Sequence, residues 1–238
     1  MRKTSGLRVL VPEAALAVGA FGALAVALWL YVLFGFDTLW GISSDWMYVH
    51  ADFDSFWRSA EALWEGRNIY NTETWWTNLN PPFWTVLISP LGLLEPLTAY
   101  RFFILITLLM SEGSLLWVAY ELRLRTRWII VGVGMLLLSA PLLDTLRLGQ
   151  VYPVLALGLV GAWVADRREK PLLSGCALGL VVAVKPSLAP VLLWPLVRRG
   201  WGMFGTALAS GAVALLVGLI VAGPQERSTG CSSWSPCR

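Results

Sequence analysis

Apolar residues in this chain do not alternate with polar ones; they gather into long blocks separated by short charged clusters. The blocks at 14–35, 96–120 and 201–222 each reach the roughly 20 residues that carry a helix across the hydrocarbon core of a bilayer. Four shorter blocks, at 128–143, 151–166, 171–184 and 187–197, lie between the last two of these. Backbone N–H and C=O groups in lipid must be satisfied within their own segment, so the blocks read as helices and not as strands. The pattern predicts an all-α polytopic membrane protein with about seven spans, several of them short.

The charged clusters set the direction of each span. Arg2, Lys3 and Arg8 form one basic group; Arg123, Arg125 and Arg127 a second; Arg167, Arg168 and Lys170 a third; Arg198 and Arg199 a fourth. Lys and Arg in short loops stay on the cytoplasmic side, so an even number of crossings separates each group from the next. The N-terminus is then cytoplasmic, and 14–35 leads out to a long outer loop over 36–95. The later blocks alternate until 201–222 leads out again. Under this rule 171–184 and 187–197 form a hairpin beside a wet cavity. The rival is one tilted helix over 172–197, kinked at Pro186 and Pro190, which places Arg198 and Arg199 outside. The first block follows a basic start, as a signal peptide does. It is about twice the length of a signal h-region and shows no convincing small-x-small cleavage site before Trp40, and so reads as a retained span.

Within the outer loop Phe56, Ala60, Leu63 and Trp64 share one helical face opposite Arg58, Glu61 and Glu65, which predicts a short helix lying on the membrane surface and ended by Gly66. Pro81 and Pro82 open a second short apolar segment over 83–94. Seven tryptophans fall in or beside this loop, where aromatic rings favour the headgroup zone.

Composition closes off alternatives. The chain is 57% hydrophobic and 14% charged, against about 25% charged in a soluble domain. The net charge of +3 is carried at membrane edges and gives no reason to expect a nucleic-acid partner. No G-x-S-x-G elbow, phosphate-binding glycine loop, H-E-x-x-H or C-x-x-C pair occurs. His50, the single histidine, excludes a histidine metal cluster and reads as a loop residue rather than a catalyst. Cys176 lies in an apolar block; Cys231 and Cys237 could pair outside the cytoplasm, but nothing requires it.

Acidic residues concentrate on the expected outer side, and polar residues recur there at the ends of short blocks. Asp144, Arg147 and Gln150 lie between 128–143 and 151–166, and Lys185 lies at the apex of the hairpin. Polar groups at such depth are costly unless they pair or face a wet cavity. With Asp52 and Asp54 of the loop they put carboxylates and cations on one face of the membrane. Plain structural readings stand beside these: an i,i+3 salt bridge of Asp144 with Arg147, snorkelling of Lys185, and helix pairing of Glu112.

Three blocks carry a resemblance. The first is Asp52-Phe53 with Glu65-Gly66-Arg67-Asn68-Ile69-Tyr70; the second is Asn78-Leu79-Asn80-Pro81-Pro82-Phe83 with Pro90-Leu91. The third is Leu148-Gly149-Gln150 with Ser174-Gly175, Gly179, Lys185-Pro186 and Arg198-Arg199. Their order and spacing over about residues 14 to 222 resemble glycosyltransferase family 87, bacterial membrane enzymes of the GT-C architecture. The resemblance implies a GT-C-like N-terminal module in the plasma membrane. It implies transfer of a sugar, mannose or arabinofuranose, from a polyprenyl-phosphate donor to a lipid or glycan acceptor on the non-cytoplasmic face. Asp52 matches the family's aspartate and would act as catalytic base. Lys185 and Arg147 would stabilise the leaving phosphate, Gln150 would bond the donor, and Asp54 and Asp144 would complete the substrate site. No metal ligands are assigned; a divalent metal remains open as a cofactor.

Residues 1–222 are accordingly expected to form one transmembrane domain. From Gly223 the composition changes abruptly, and family members continue for further spans. A truncation or frameshift, of a kind that can leave a chain inactive, with 223–238 a disordered or aberrant tail, is the expectation. Two other classes compete: a transporter or lipid flippase, which should show paired repeats and midplane polar residues, and a non-catalytic scaffold, which would tolerate loss of Asp52.

Overall fold

The computed structural model describes residues 22, 50–72, 74 and 76–223. The expected span at 14–35 and the tail from 224 onward lie outside the described residues. Among the described residues the regular elements are all helical. Helix α1 spans Ala51–Trp64, and α2 spans Pro82–Ile88, followed by a 3-10 turn over Ser89–Leu93. Then come α3 (Pro96–Glu121), α4 (Thr126–Leu137), α5 (Ala140–Leu148), α6 (Tyr152–Arg167) and α7 (Pro171–Val184). A second 3-10 segment (Pro186–Leu192), α8 (Leu193–Val197) and α9 (Trp201–Ala222) complete them. Helices α3 and α9 are long and apolar enough to cross a membrane; α4 and α5, bent by 52° at their break, make a third if taken as one span.

Local chemistry explains where these helices begin. Glu95 caps α3, accepting from the backbone N–H of Leu97 at 3.3 Å and of Thr98 at 3.0 Å, with Pro96 at the first helical position. The Thr98 N–H bond, more than any other contact, holds the Glu95 carboxyl below its ordinary range. Ser139 opens α5 in the same way, accepting from Leu142 N–H at 3.3 Å. Pro141 has no N–H to continue the α4 ladder. The apolar block read from sequence as one element over 128–143 is therefore broken at Leu138–Ser139.

The helix ends fix the direction of the chain. Among the described residues, Arg123, Glu169 and Arg199 are the non-glycine residues at positive φ, 53°, 56° and 54°. Each closes a turn in which the following N–H bonds back to a helix carbonyl: Leu124 to Ala119 at 2.9 Å, Lys170 to Ala165 at 2.9 Å, Gly200 to Pro195 at 2.8 Å. Ion pairs draw the three turns together. Glu121 meets Arg168 at 2.8 Å and Arg167 at 3.6 Å, and Asp166 meets Arg198 at 2.5 Å. The three basic connections thus occupy one pole of the bundle.

Helices α7 and α9 pack through glycine. A Cβ on Gly175 would sit 2.2 Å from the Met203 carbonyl, and one on Gly179 2.1 Å from the Ala207 carbonyl, so only residues without a side chain admit this approach. The register rises in both helices, so they run parallel. The chain must therefore turn back between them, and it does so at Lys185–Pro186; no single helix covers 172–197. Further along α9, a Cβ on Gly218 would lie 2.5 Å from Phe83 N, which brings α2 to the pole opposite the basic turns.

Helix α1 packs one face into the bundle. Phe53, Phe56, Trp57 and Ala60 are buried against Trp84, Tyr100 and Phe103, and the Trp57 indole donates to the Leu91 and Leu94 carbonyls at 3.1 and 3.2 Å. Its apolar arc is wider than the four positions read from sequence, because Phe53 and Trp57 extend it. Trp64, at the helix end, is 56% exposed.

Replacing Gly179 by Val should lower the unfolding temperature in detergent markedly, since overpacking costs about 1–3 kcal/mol even against yielding side chains and here meets backbone. Gly202→Val, where nothing lies within 4 Å of the added carbon, should leave that temperature nearly unchanged. Equal behaviour of the two variants would contradict the packing.

Candidate active site

A cleft of about 520 Å³ opens at the pole opposite the basic turns, within the size range of small-molecule sites. Asp52, Ser55 and Phe56 of α1 line it, as do residues 76–80, Gln150, Val151 and Tyr152 before and at the start of α6, and Lys185, Pro186 and Ser187 at the end of α7. Helix α6 has 16 residues and α7 has 14, so at about 1.5 Å per residue the cleft stands roughly 20 Å from the basic pole.

Each wall is held by buried polar bonds. Asn78 is 2% exposed. Its amide donates to Ser59 Oγ at 3.1 Å and Thr85 Oγ1 at 3.3 Å, and its Oδ1 accepts from Asn80 N–H at 3.0 Å. This makes 76–80 a shelf bolted to α1 and α2. The opposite wall hangs on the end of α5, where Gly149 N–H reaches the Leu146 carbonyl at 3.1 Å and Gln150 N–H that of Thr145 at 2.9 Å. Tyr100 Oη donates to the Leu146 carbonyl at 3.0 Å, and His50 Nδ1 lies 3.1 Å from that of Arg147. The two rings meet at a tilt of 43° with centroids 3.7 Å apart. His50 is thus a buried latch between α1, α3 and α5. Gly149 then turns the chain at φ 70°, where a Cβ would fall 2.4 Å from Phe53 Cβ. That left-handed turn against α1 sets Gln150 into the cleft.

Of the residues singled out from sequence, Asp52, Gln150 and Lys185 meet in this cleft. Asp52 sits in the first turn of α1, where a helix favours negative charge. Lys185 follows α7, with its Nζ 4.2 Å from the Tyr152 ring centroid. Asp54 points elsewhere: it is 8% exposed and faces Arg58 at 3.8 Å. Burial pushes its carboxyl up from the ordinary range, Arg58 draws it back and Glu61 adds to the rise. Asp144 and Arg147 are exposed on α5 and do not line the cleft, and among the described residues no ion pair joins them. Asn78, Asn80, Tyr152 and Ser187 complete the cleft without having been singled out as site residues. Asn78 and Asn80 were visible in a quoted motif, but their role depends on contacts with α1. Among the described residues no group of three or more His, Cys, Asp or Glu comes together; Asp52 alone does not make the oxygen cage a divalent cation takes.

The described residues thus form a helical membrane protein in which a carboxylate, an amide and an ammonium line one cleft at one pole. The description "Glycosyltransferase family 87" matches residues 76–229, more than half of the chain, and the chain belongs to that family. The match includes Gln150 and Lys185 and begins after Asp52. The Alpha-(1->3)-arabinofuranosyltransferase of Corynebacterium glutamicum is 28% identical over 144 residues, 58% of this chain and 34% of that protein. The chain thus spans about a third of the length of the curated relative it matches. No solved structure matches.

The Asp54 environment predicts a pH dependence. Its folded-state value lies above the ordinary 3.8, so its contribution to stability is fully present below that value and is lost as pH rises through the raised one. Asp54→Asn should match the parent near pH 3.5 and equal or exceed its unfolding temperature at pH 7. A lower temperature for the variant at pH 7 would contradict the assignment. Gly149→Ala should destabilise at every pH, with Cβ contact and positive φ acting together.

Proposed function

We propose that this chain transfers a sugar, mannose or arabinofuranose, from a polyprenyl-phosphate donor to a hydroxyl of a lipid or glycan acceptor on the non-cytoplasmic face of a bacterial plasma membrane. The observation that carries the reading is the meeting of Asp52, Gln150 and Lys185 in one cleft at the pole away from the basic turns. Family membership supports glycosyl transfer, and the named activity of the Corynebacterium relative supports arabinofuranose among the sugars. The basic turns at the far pole support the sidedness, since arginines in short loops stay cytoplasmic.

The chemistry follows from the charges. The acceptor oxygen attacks the anomeric carbon as the bond from that carbon to the phosphate oxygen breaks, through an oxocarbenium-like state. The electron pair of the broken bond leaves on the polyprenyl phosphate, whose growing negative charge Lys185 stabilises while Gln150 donates to it. The acceptor proton passes to Asp52, the carboxylate lining the cleft. Asp54, Asp144 and Arg147 stand outside this step and would act, if at all, on parts of the substrates beyond the cleft.

The test supplies membranes with radiolabelled polyprenyl-phosphate sugars. Asp52→Asn should cut transfer by about 10²–10⁴-fold, the range for a general base, without loss of protein from the membrane. Undiminished transfer by that variant would refute the assignment of the base.

A further inference from the structure

Lys185 and Asp52 line the same cleft with opposite charges, yet among the described residues neither is in an ion pair. Opposite charges lining one cleft attract each other, and a lysine on its flexible four-carbon stem can swing toward a carboxylate. What engages the ammonium is an aromatic face, with Lys185 Nζ 4.2 Å from the centroid of Tyr152. The ring is well placed to hold it. Tyr152 is the first residue of α6, followed by Pro153, and the turn beneath it is closed by Val154 N–H on the Val151 carbonyl at 3.0 Å. The backbone of Lys185 is equally fixed, between the end of α7 and Pro186, with its carbonyl accepting from Leu188 N–H at 2.9 Å. Only the lysine side chain is left to choose a partner.

We infer that Tyr152 is a positioning residue: its ring parks the Lys185 ammonium away from Asp52, so that the carboxylate stays open to the acceptor proton and the ammonium stays open to a lipid-linked phosphate. This rests on reading the cleft as a lipid-phosphate sugar site. A ring face attracts a cation without neutralising it. A carboxylate partner would cancel both charges, and the pair would have to be broken whenever a donor arrived. Tyr152 therefore keeps two mutually attractive groups in one cleft without letting them quench each other.

The test measures binding of dodecyl phosphate to the purified chain in detergent, with inorganic phosphate as a second probe. Tyr152→Phe, which keeps the ring, should bind as the parent does. Tyr152→Leu, which removes it, should bind about two- to fivefold more weakly, the range for a cation over a ring that is 49% exposed. Tyr152→Met replaces the leucine variant if that one is not recovered folded. Adding Asp52→Asn to Tyr152→Leu should restore binding, because the lysine then has no carboxylate to fall onto; a merely structural tyrosine would not be rescued this way. Parent-like binding by Tyr152→Leu, equal weakness of the Phe and Leu variants, or no rescue by Asp52→Asn would each overturn the inference. Parent-like binding by Lys185→Ala would instead overturn the lipid-phosphate reading beneath it, as would equal affinity for inorganic phosphate with the tyrosine pattern intact.

Discussion

A helix that runs out of hydrogen-bond donors has to end against water or against a partner, and Pro186 makes α7 end at Val184. Proline carries no N–H, and its ring also forces Lys185 out of the helical region, to φ −138° and ψ 92°. With 14 residues the helix is about 21 Å long, short of the hydrocarbon thickness. Its far end thus stops inside the depth of the bundle. The return strand of the hairpin, a 3-10 segment with Pro190 inside it and then five residues of α8, is equally short. Two short passes side by side leave a notch, and backbone of this kind is tolerated at membrane depth only where it is packed in protein or lines a wet cavity. The cleft is the consequence of that proline, and Lys185 stands in it for the same reason.

The other walls show how a notch becomes a site. Buried amides and hydroxyls around Asn78 lock the shelf, and Tyr100 with His50 satisfies the end of α5, so that Gly149 can deliver Gln150. None of these groups needs to touch a substrate. Their role is to leave no slack in the groups that do, since a reacting pair misplaced by about 1 Å loses much of its rate. At the opposite pole, Glu121 of the first turn pairs with arginines of the second, and Asp166 with the arginine of the third. Such half-exposed ion pairs add little stability, but they set which helix ends lie together, and hence which end is left for the cleft.

The sequence carried the helices well because lipid removes options. The extents 171–184 and 201–222 are those of α7 and α9, and 96–120 falls one residue short of α3. The break in 128–143 was also written there, as Ser139 two residues before Pro141, but the uniform apolarity of the block hides it from a hydropathy reading. Burial of α1 was harder to read. An amphipathic helix faces either headgroups or protein with the same pattern, and only the packing of Phe53 against Phe103 and of Phe56 against Trp84 shows which residues meet protein. The site was half legible. Lys185 and Gln150 stood out because polar groups at the ends of short apolar runs are costly. Tyr152 did not, because a tyrosine at a helix start is ordinary until a cation is seen over its ring. Asp54 was expected in the substrate site with Asp52, whereas residues two apart on a helix point about 200° away from each other, which turns one carboxylate into the cleft and the other toward Arg58.

The account rests on the cleft and the basic turns facing opposite aqueous compartments. Single cysteines at Ser187 and at Arg125, in a chain whose own Cys176, Cys231 and Cys237 are replaced by serine, decide this in intact cells treated with a membrane-impermeant thiol reagent. The account predicts that position 187 reacts at once and that position 125 reacts only after the cells are permeabilised. Rapid labelling of position 125 in intact cells, with position 187 protected, would contradict it.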